Sequence, residues 1–226
     1  MKALEQSTVD GRQLPDFTLI RLPVPGQARS QQALERLLAA GEALLADNRY
    51  EEASVAEIAK LAQSSVGSFY RLLGDKDALS LLLLQQFMQR VAATATDLAE
   101  VRCEDLSQSA AMLVNAYVDI YTGHRGVLRA LILRASRSAD FRDKVHLLNR
   151  HVSGCAQACM EPFTAEIRHP KPRQAVSSGM HMVLGALNQY TVTGNLGELP
   201  ADELRPELIR LLLGYLDQGT GGSGNR

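Results

Sequence analysis

The feature that most constrains this chain is a set of three helix-opening residues within positions 54–75. Ser54 with Glu57 three places on has the form of a capping box, in which the serine and glutamate side chains satisfy orphan backbone donors at a helix start. The helix it opens carries Ile58 and Leu61 inward and ends near Ala62. Gln63 and Ser64 make a tight connection, and Ser65 caps a second short helix through about Leu72. Gly74 breaks that helix, and Asp75 caps a long one from Lys76 to about Glu100. Upstream of the pair, Leu34, Leu37, Leu38, Leu44 and Leu45 recur at helical spacing from Ser30 to about Asn48.

The remainder reads as helical throughout, over roughly 105–122, 125–136, 139–166, 172–193 and 204–217, with Asp105 and Gln108 offering another cap. Aromatic residues are only 5% of the chain and Trp is absent, which favours helices over strands. The expected class is therefore all-α, with an N-terminal three-helix head at 30–78 and a larger helical domain at 79–218. Residues 1–29 hold Pro15, Pro23 and Pro25 and no sustained period, so they are expected as a flexible arm. The Gly-rich residues 219–226 are expected as a disordered tail.

A short helix, a tight turn and a second short helix are what a major-groove reader needs, because the second helix must project its leading residues to the base edges. Gly67 lets the backbone approach a sugar-phosphate chain. Ser65, Ser68, Tyr70 and Lys76 supply phosphate donors, and Arg71 reaches a guanine or a phosphate. The run Ser65-Val66-Gly67-Ser68-Phe69-Tyr70-Arg71-Leu72-Leu73-Gly74-Asp75-Lys76-Asp77-Ala78-Leu79, preceded by Val55-Ala56-Glu57-Ile58-Ala59-Lys60-Leu61-Ala62, resembles the TetR family of repressors over about residues 31–80. The chain departs from that pattern at Gln63 and Ser64, where Gly and an apolar residue are usual, and at Leu73, where Phe is common.

The resemblance implies a homodimer that presents two recognition helices to a palindromic operator on double-stranded DNA. It also implies a small-molecule effector whose binding shifts the fourth helix and releases the DNA. The dimer is expected to form through helices 172–193 and 204–217, using Val183, Leu184, Leu187, Leu208, Leu211, Leu212 and Tyr215. For the effector site, Met112, Tyr117, Tyr121, Leu131, Met180 and Tyr190 are candidates, since methionine and tyrosine suit an adaptable pocket with a polar tip.

Charge runs against a simple nucleic-acid reading. Between residues 30 and 80 five basic residues face eight acidic ones, a net −3, whereas phosphate contacts dominate DNA affinity. The lead-in residues Lys2, Arg12, Arg21 and Arg29 are expected to add a basic arm. A cationic stretch between His124 and His151, including Arg129, Arg134 and Lys144, reads first as a solvated face and second as a patch for an anionic effector.

His151, Cys155 and Cys159 share a helical face, but eight residues span about 12 Å of axis, too far for one metal ion. They read better as small core residues than as a redox site. Three cysteines without a dense framework, no signal-peptide core and no membrane-length apolar run fit a cytoplasmic protein. No nucleophile triad, phosphate-cradling glycine loop or carboxylate pair stands out, so neither an enzyme, a cofactor nor a metal is expected. The alternative is a helical adaptor that keeps the head for protein contacts.

Overall fold

A computed structural model of the chain describes residues 6–9, 12–22 and 27–218, so the tail expected at 219–226 lies outside the described residues. Among these, nine α-helices carry the fold: α1 (Ala28–Ala46), α2 (Val55–Leu61), α3 (Val66–Leu73), α4 (Lys76–Glu100), α5 (Leu106–Gly123), α6 (Arg125–Arg137), α7 (Ala139–Met160), α8 (Pro172–Thr193) and α9 (Leu204–Leu216). A single antiparallel hairpin, β1 (Gln6–Val9) with β2 (Arg12–Pro15), pairs Gln6 with Pro15 and Val9 with Arg12. The described residues are all-α apart from that hairpin.

The capping residues act as their spacing predicts. Glu57 accepts from the Ser54 backbone N–H at 2.7 Å, while the Ser54 hydroxyl accepts from the Glu57 N–H at 3.2 Å. The Ser65 hydroxyl accepts from Ser68 N–H at 3.1 Å, and Asp75 and Asp105 each accept from a backbone N–H at 2.7 Å. Each such cap contributes about 1 kcal/mol. One helix ends earlier than expected. The helix predicted over 139–166 ends at Met160 and continues as a 3-10 turn, Glu161–Glu166, because Pro162 lacks the N–H that α-helical pairing would use.

The lead-in corrects the expectation of a flexible arm over residues 14–22. Leu14 and Phe17 are fully buried in the main core. Gln85 of α4 accepts from the backbone N–H groups of Leu19 and Ile20 at 2.7 and 3.2 Å. Lys144 of α7 donates to the Asp16 carbonyl at 2.8 Å. An extended, proline-bearing segment shows no helical period, so its apolar anchors Leu14, Phe17, Leu19 and Leu22 were invisible to a periodicity search. Hydrogen bonds from Thr18, with the nearby charges of Lys144 and the exposed Arg21, hold the Asp16 carboxyl below its usual range.

In the head, α1 packs on α2, α3 and α4. Gly41 permits the α1–α4 approach, since a Cβ there would lie 2.9 Å from a Leu83 methyl. Ile58, Ala59, Ala62, Phe69 and Leu73 face inward. Leu61, expected inward, is 58% exposed. In so short a helix only one stripe reaches the core, and Ile58 with Ala62, four residues apart, occupies it.

In the larger part, α7 packs on both α4 and α8, and α9 on both α5 and α8. Val183, Leu184, Leu187, Leu208 and Leu212, expected to pair two protomers, are buried inside one protomer. They fill the contacts that α8 and α9 make with each other and with α5 and α7. The outward row on α8 is instead Met182, Gly185, Gln189 and Val192, and on α9 it is Leu211 and Gly214. Val192 is 53% exposed and Leu211 44%.

Candidate nucleic-acid interface

The candidate element, α3, is built from its ends inward. The Ser65 cap starts α3, Gly74 in a left-handed conformation (φ 81°) stops it, and Phe69 and Leu73 anchor it to the core. Leu72 is half-buried against the core, and the rest of α3 faces outward. Ser65, Val66, Gly67, Tyr70 and Arg71 are exposed, and Ser68 is half-buried. Tyr70 is 53% exposed, its ring set edge-on to Phe69 at 5.8 Å between centroids, which fixes the direction of its hydroxyl. Arg71 leans toward α1, with Nη1 3.4 Å from the Ser30 hydroxyl.

Gly67 has no internal justification. A Cβ there would meet only the Ser65 hydroxyl oxygen, at 3.9 Å. A glycine inside an exposed helix costs about 1 kcal/mol relative to alanine. That open space leaves the α3 backbone at Gly67 accessible from outside the protomer.

The turn before α3 holds Gln63 with φ 48° and Ser64, whose N–H donates to the Ala59 carbonyl at 2.8 Å. Gln63 thus occupies the left-handed position that glycine adopts most cheaply, so the departure in sequence leaves the turn geometry intact. Lys76 does not join the outward face. Its Nζ donates to the Glu51 carbonyl at 2.8 Å and lies 5.0 Å from the Tyr50 ring centroid, turned onto the loop between α1 and α2.

Several of the head's acidic side chains are engaged in internal contacts. Glu57 and Asp75 are caps, Glu42 meets His124 Nδ1 at 3.1 Å, and Asp77 receives two hydrogen bonds from Arg134 at 2.6 and 3.0 Å. Those bonds hold the Asp77 carboxyl below its usual range. Arg29, Arg49, Lys60 and Arg71 remain exposed on the head. Of the basic arm expected upstream, Lys2 and the Arg12 side chain lie outside the described residues.

Two arginines of the cationic stretch, both on α6, are engaged with the head. Arg134 holds Asp77, and Arg129 donates to Asn48 Oδ1 at 2.9 Å, so both side chains tie α6 to the head. Gly126 completes the joint. A Cβ there would fall 2.3 Å from the Leu45 backbone carbonyl, so α6 and the end of α1 touch main chain to main chain.

The opposite side of α6 borders a cavity of about 220 Å³. Of the six residues proposed from sequence to meet an effector, Tyr117, Tyr121 and Leu131 line it. Met112, Met180 and Tyr190 do not. Met112 lies against Cys103, with the sulfurs 3.9 Å apart. Met180 is fully buried, and the Tyr190 ring lies under the Arg125 guanidinium at 5.3 Å. Sequence reasoning missed Phe87 and Val91 of α4, Leu128 of α6, Asn149 of α7 and Asn188 of α8. The two asparagines carried a signal, being amides beside Leu148 and Leu187 on otherwise apolar stripes.

Cys155 lies 3.7 Å from His151 Nε2, and burial pushes the Cys155 and Cys159 thiols up, away from the reactive thiolate form. Among the described residues no His, Cys, Asp and Glu group has metal-binding geometry, and no helix is long and apolar enough to cross a membrane.

Comparison with known proteins bears on the head and on the whole fold. Residues 37–82 match the family described as bacterial regulatory proteins, tetR family. No curated protein matches the chain. Among solved structures, a protein from Mesorhizobium loti assigned to the TetR-family transcriptional regulators superposes with TM-score 0.63 at 18% identity, over 84% of this chain and 98% of that one. A TetR-family regulator from Streptomyces coelicolor gives 0.62 at 16% identity over 82% and 79% of the two chains. PfmR, a TetR-family regulator from Thermus thermophilus, gives 0.62 at 18% identity over 79% and 97%.

Proposed function

We propose that this chain, whose residues 37–82 match the tetR family of bacterial regulatory proteins, works as a homodimeric repressor of that family that holds a palindromic operator and lets go when a small molecule fills the cavity. The observation that carries the DNA-binding half is the outward face of α3. Gly67 is free of internal contact there, while Tyr70 and Arg71 stand exposed on a helix anchored from behind by Phe69 and Leu73. Such a face inserts in a major groove, with Gly67 allowing backbone approach, Ser65, Ser68 and Tyr70 meeting phosphates, and Arg71 reaching a phosphate or a guanine.

The release half is supported by the double role of two helices. Phe87 and Val91 border the cavity on α4, the helix that starts directly behind α3. Leu128 and Leu131 border it on α6, whose other residues Gly126, Arg129 and Arg134 grip the head. A molecule that spreads the cavity walls displaces both helices, and the two binding events are then linked reciprocally.

The test is a gel shift on fragments selected from a random DNA pool, run over a range of salt with the parent and with the Tyr70→Ala, Arg71→Ala double variant. The parent binds selectively and loses affinity steeply as salt rises. The double variant loses at least about tenfold, since a bidentate base contact alone contributes about 1–3 kcal/mol. Equal retention of operator by both proteins would overturn the assignment.

A further inference from the structure

The cavity's chemistry narrows what it accepts, on the reading above that it is the effector site. Among the described residues no Asp, Glu, Lys, Arg or His lines it. A charged group entering such a space gives up its hydration and finds no counter-charge, a cost of several kcal/mol. Carbon dominates the wall, with aromatic rings from Phe87, Tyr117 and Tyr121. Polar capacity comes from few points: the two tyrosine hydroxyls and the amides of Asn149 and Asn188.

Tyr117 is the informative one. Its side chain is almost wholly buried, and its hydroxyl has no hydrogen-bond partner among the described residues. An unpaired buried hydroxyl is costly, on the order of 1–3 kcal/mol. A residue kept in that condition on the wall of a cavity is a donor waiting for an acceptor. Burial also raises the phenol's pKa, so it stays protonated and donates at any physiological pH.

We propose that the cavity takes an uncharged, mainly apolar ring compound bearing one carbonyl oxygen, which accepts a hydrogen bond from Tyr117. Size follows by scaling. A cavity of about 150 Å³ takes benzene, so this one takes a molecule of about nine or ten non-hydrogen atoms. The ring lies among Phe87, Tyr121 and Leu131, and the carbonyl points toward α5. A hydrocarbon of the same shape strips the hydroxyl of any solvent partner and returns nothing, and so binds worse despite its greater hydrophobicity.

The experiment is calorimetric titration of the full-length protein, without DNA, against four molecules of nearly equal size: acetophenone, isopropylbenzene, benzoate and phenyltrimethylammonium. Acetophenone binds, isopropylbenzene binds about tenfold more weakly, and the two ions show no binding. Tyr117→Phe removes the difference between acetophenone and isopropylbenzene while leaving the melting temperature unchanged or raised, since the hydroxyl has no partner to lose. Leu131→Trp fills the cavity and abolishes both.

Tighter binding of either ion, a preference for acetophenone that survives Tyr117→Phe, binding that survives Leu131→Trp, or no binding by any of the four overturns the proposal. A gel shift on the same proteins separates this from the functional reading. Tyr117-dependent binding that leaves the operator complex intact sinks release by effector and keeps the ligand class. Operator binding by a protein that takes none of the four does the reverse.

Discussion

Gly126 and Gly67 are both helical glycines, and their surroundings assign them opposite roles. At Gly126 the atoms within reach of a Cβ are the Leu45 carbonyl carbon and oxygen at 2.3 Å and the Ala46 nitrogen at 2.5 Å, all main chain and unable to rotate away. Gly126→Ala therefore forces α6 off the end of α1 and costs about 1–3 kcal/mol, read from the denaturant midpoint. A variant as stable as the parent would show that the joint is looser than its geometry. At Gly67 the space is open, and alanine is the better helix former. Gly67→Ala is expected to gain up to about 1 kcal/mol of stability yet lose operator affinity, because the methyl stands where the DNA backbone must come. Stability and affinity moving in opposite directions identifies a residue kept for an external contact. If both rise or both fall, the close approach at α3 is wrong.

Among the elements, α6 links cavity to head, and its polar tether is the Arg134–Asp77 pair. The Asp77 pKa is lowered in the folded protein, chiefly by the Arg134 hydrogen bonds. The tether's stabilisation is thus fully present above the free carboxyl value of about 3.9 and is lost as pH falls through the lower folded value. The Asp77 side chain is 60% exposed, so solvent screening limits the coupling to below about 1 kcal/mol. A double-mutant cycle with Asp77→Asn and Arg134→Gln, followed by unfolding, should return a few tenths of a kcal/mol near neutrality and nothing at about pH 2. Coupling that persists in acid would mean that the carboxylate is not what Arg134 holds. The linking role of α6 was not legible in the sequence, where its arginines read as one cationic face, because Asp77 lies 57 positions from Arg134. Caps behave differently. Ser54, Ser65, Asp75 and Asp105 act on their own helix starts, so the boundaries of α2 to α5 could be read locally. The half-hidden cases share one cause: Phe17, Leu61 and the inward residues of α8 depend on packing between distant elements, and only three of the six proposed effector residues turned toward a common cavity.

At the scale of the molecule, the proposed function requires one α3 for each half-site, with useful affinity coming from two held about one helical turn of DNA apart. The row Met182, Gly185, Gln189 and Val192 on α8, with Leu211 and Gly214 on α9, is the face proposed to join the copies. It is outward and mostly apolar, and its two glycines have nothing within 4 Å of a Cβ position, so another helix can approach closely there. In a two-fold interface each patch meets itself or its neighbour on the other copy, so one added carboxylate per chain places two in the contact. The Met182→Asp, Leu211→Asp variant should therefore sediment as a monomer. Its helical signal should stay unchanged, because neither side chain belongs to the protomer core. Operator affinity should fall roughly a hundredfold as avidity is lost. Mixing it with a Met182→Lys, Leu211→Lys variant supplies opposite charges across the axis, and mixed dimers with recovered DNA binding should form. Retention of a dimer by the aspartate variant would place the interface elsewhere, and the spacing of the two readers would then have to be set by another face.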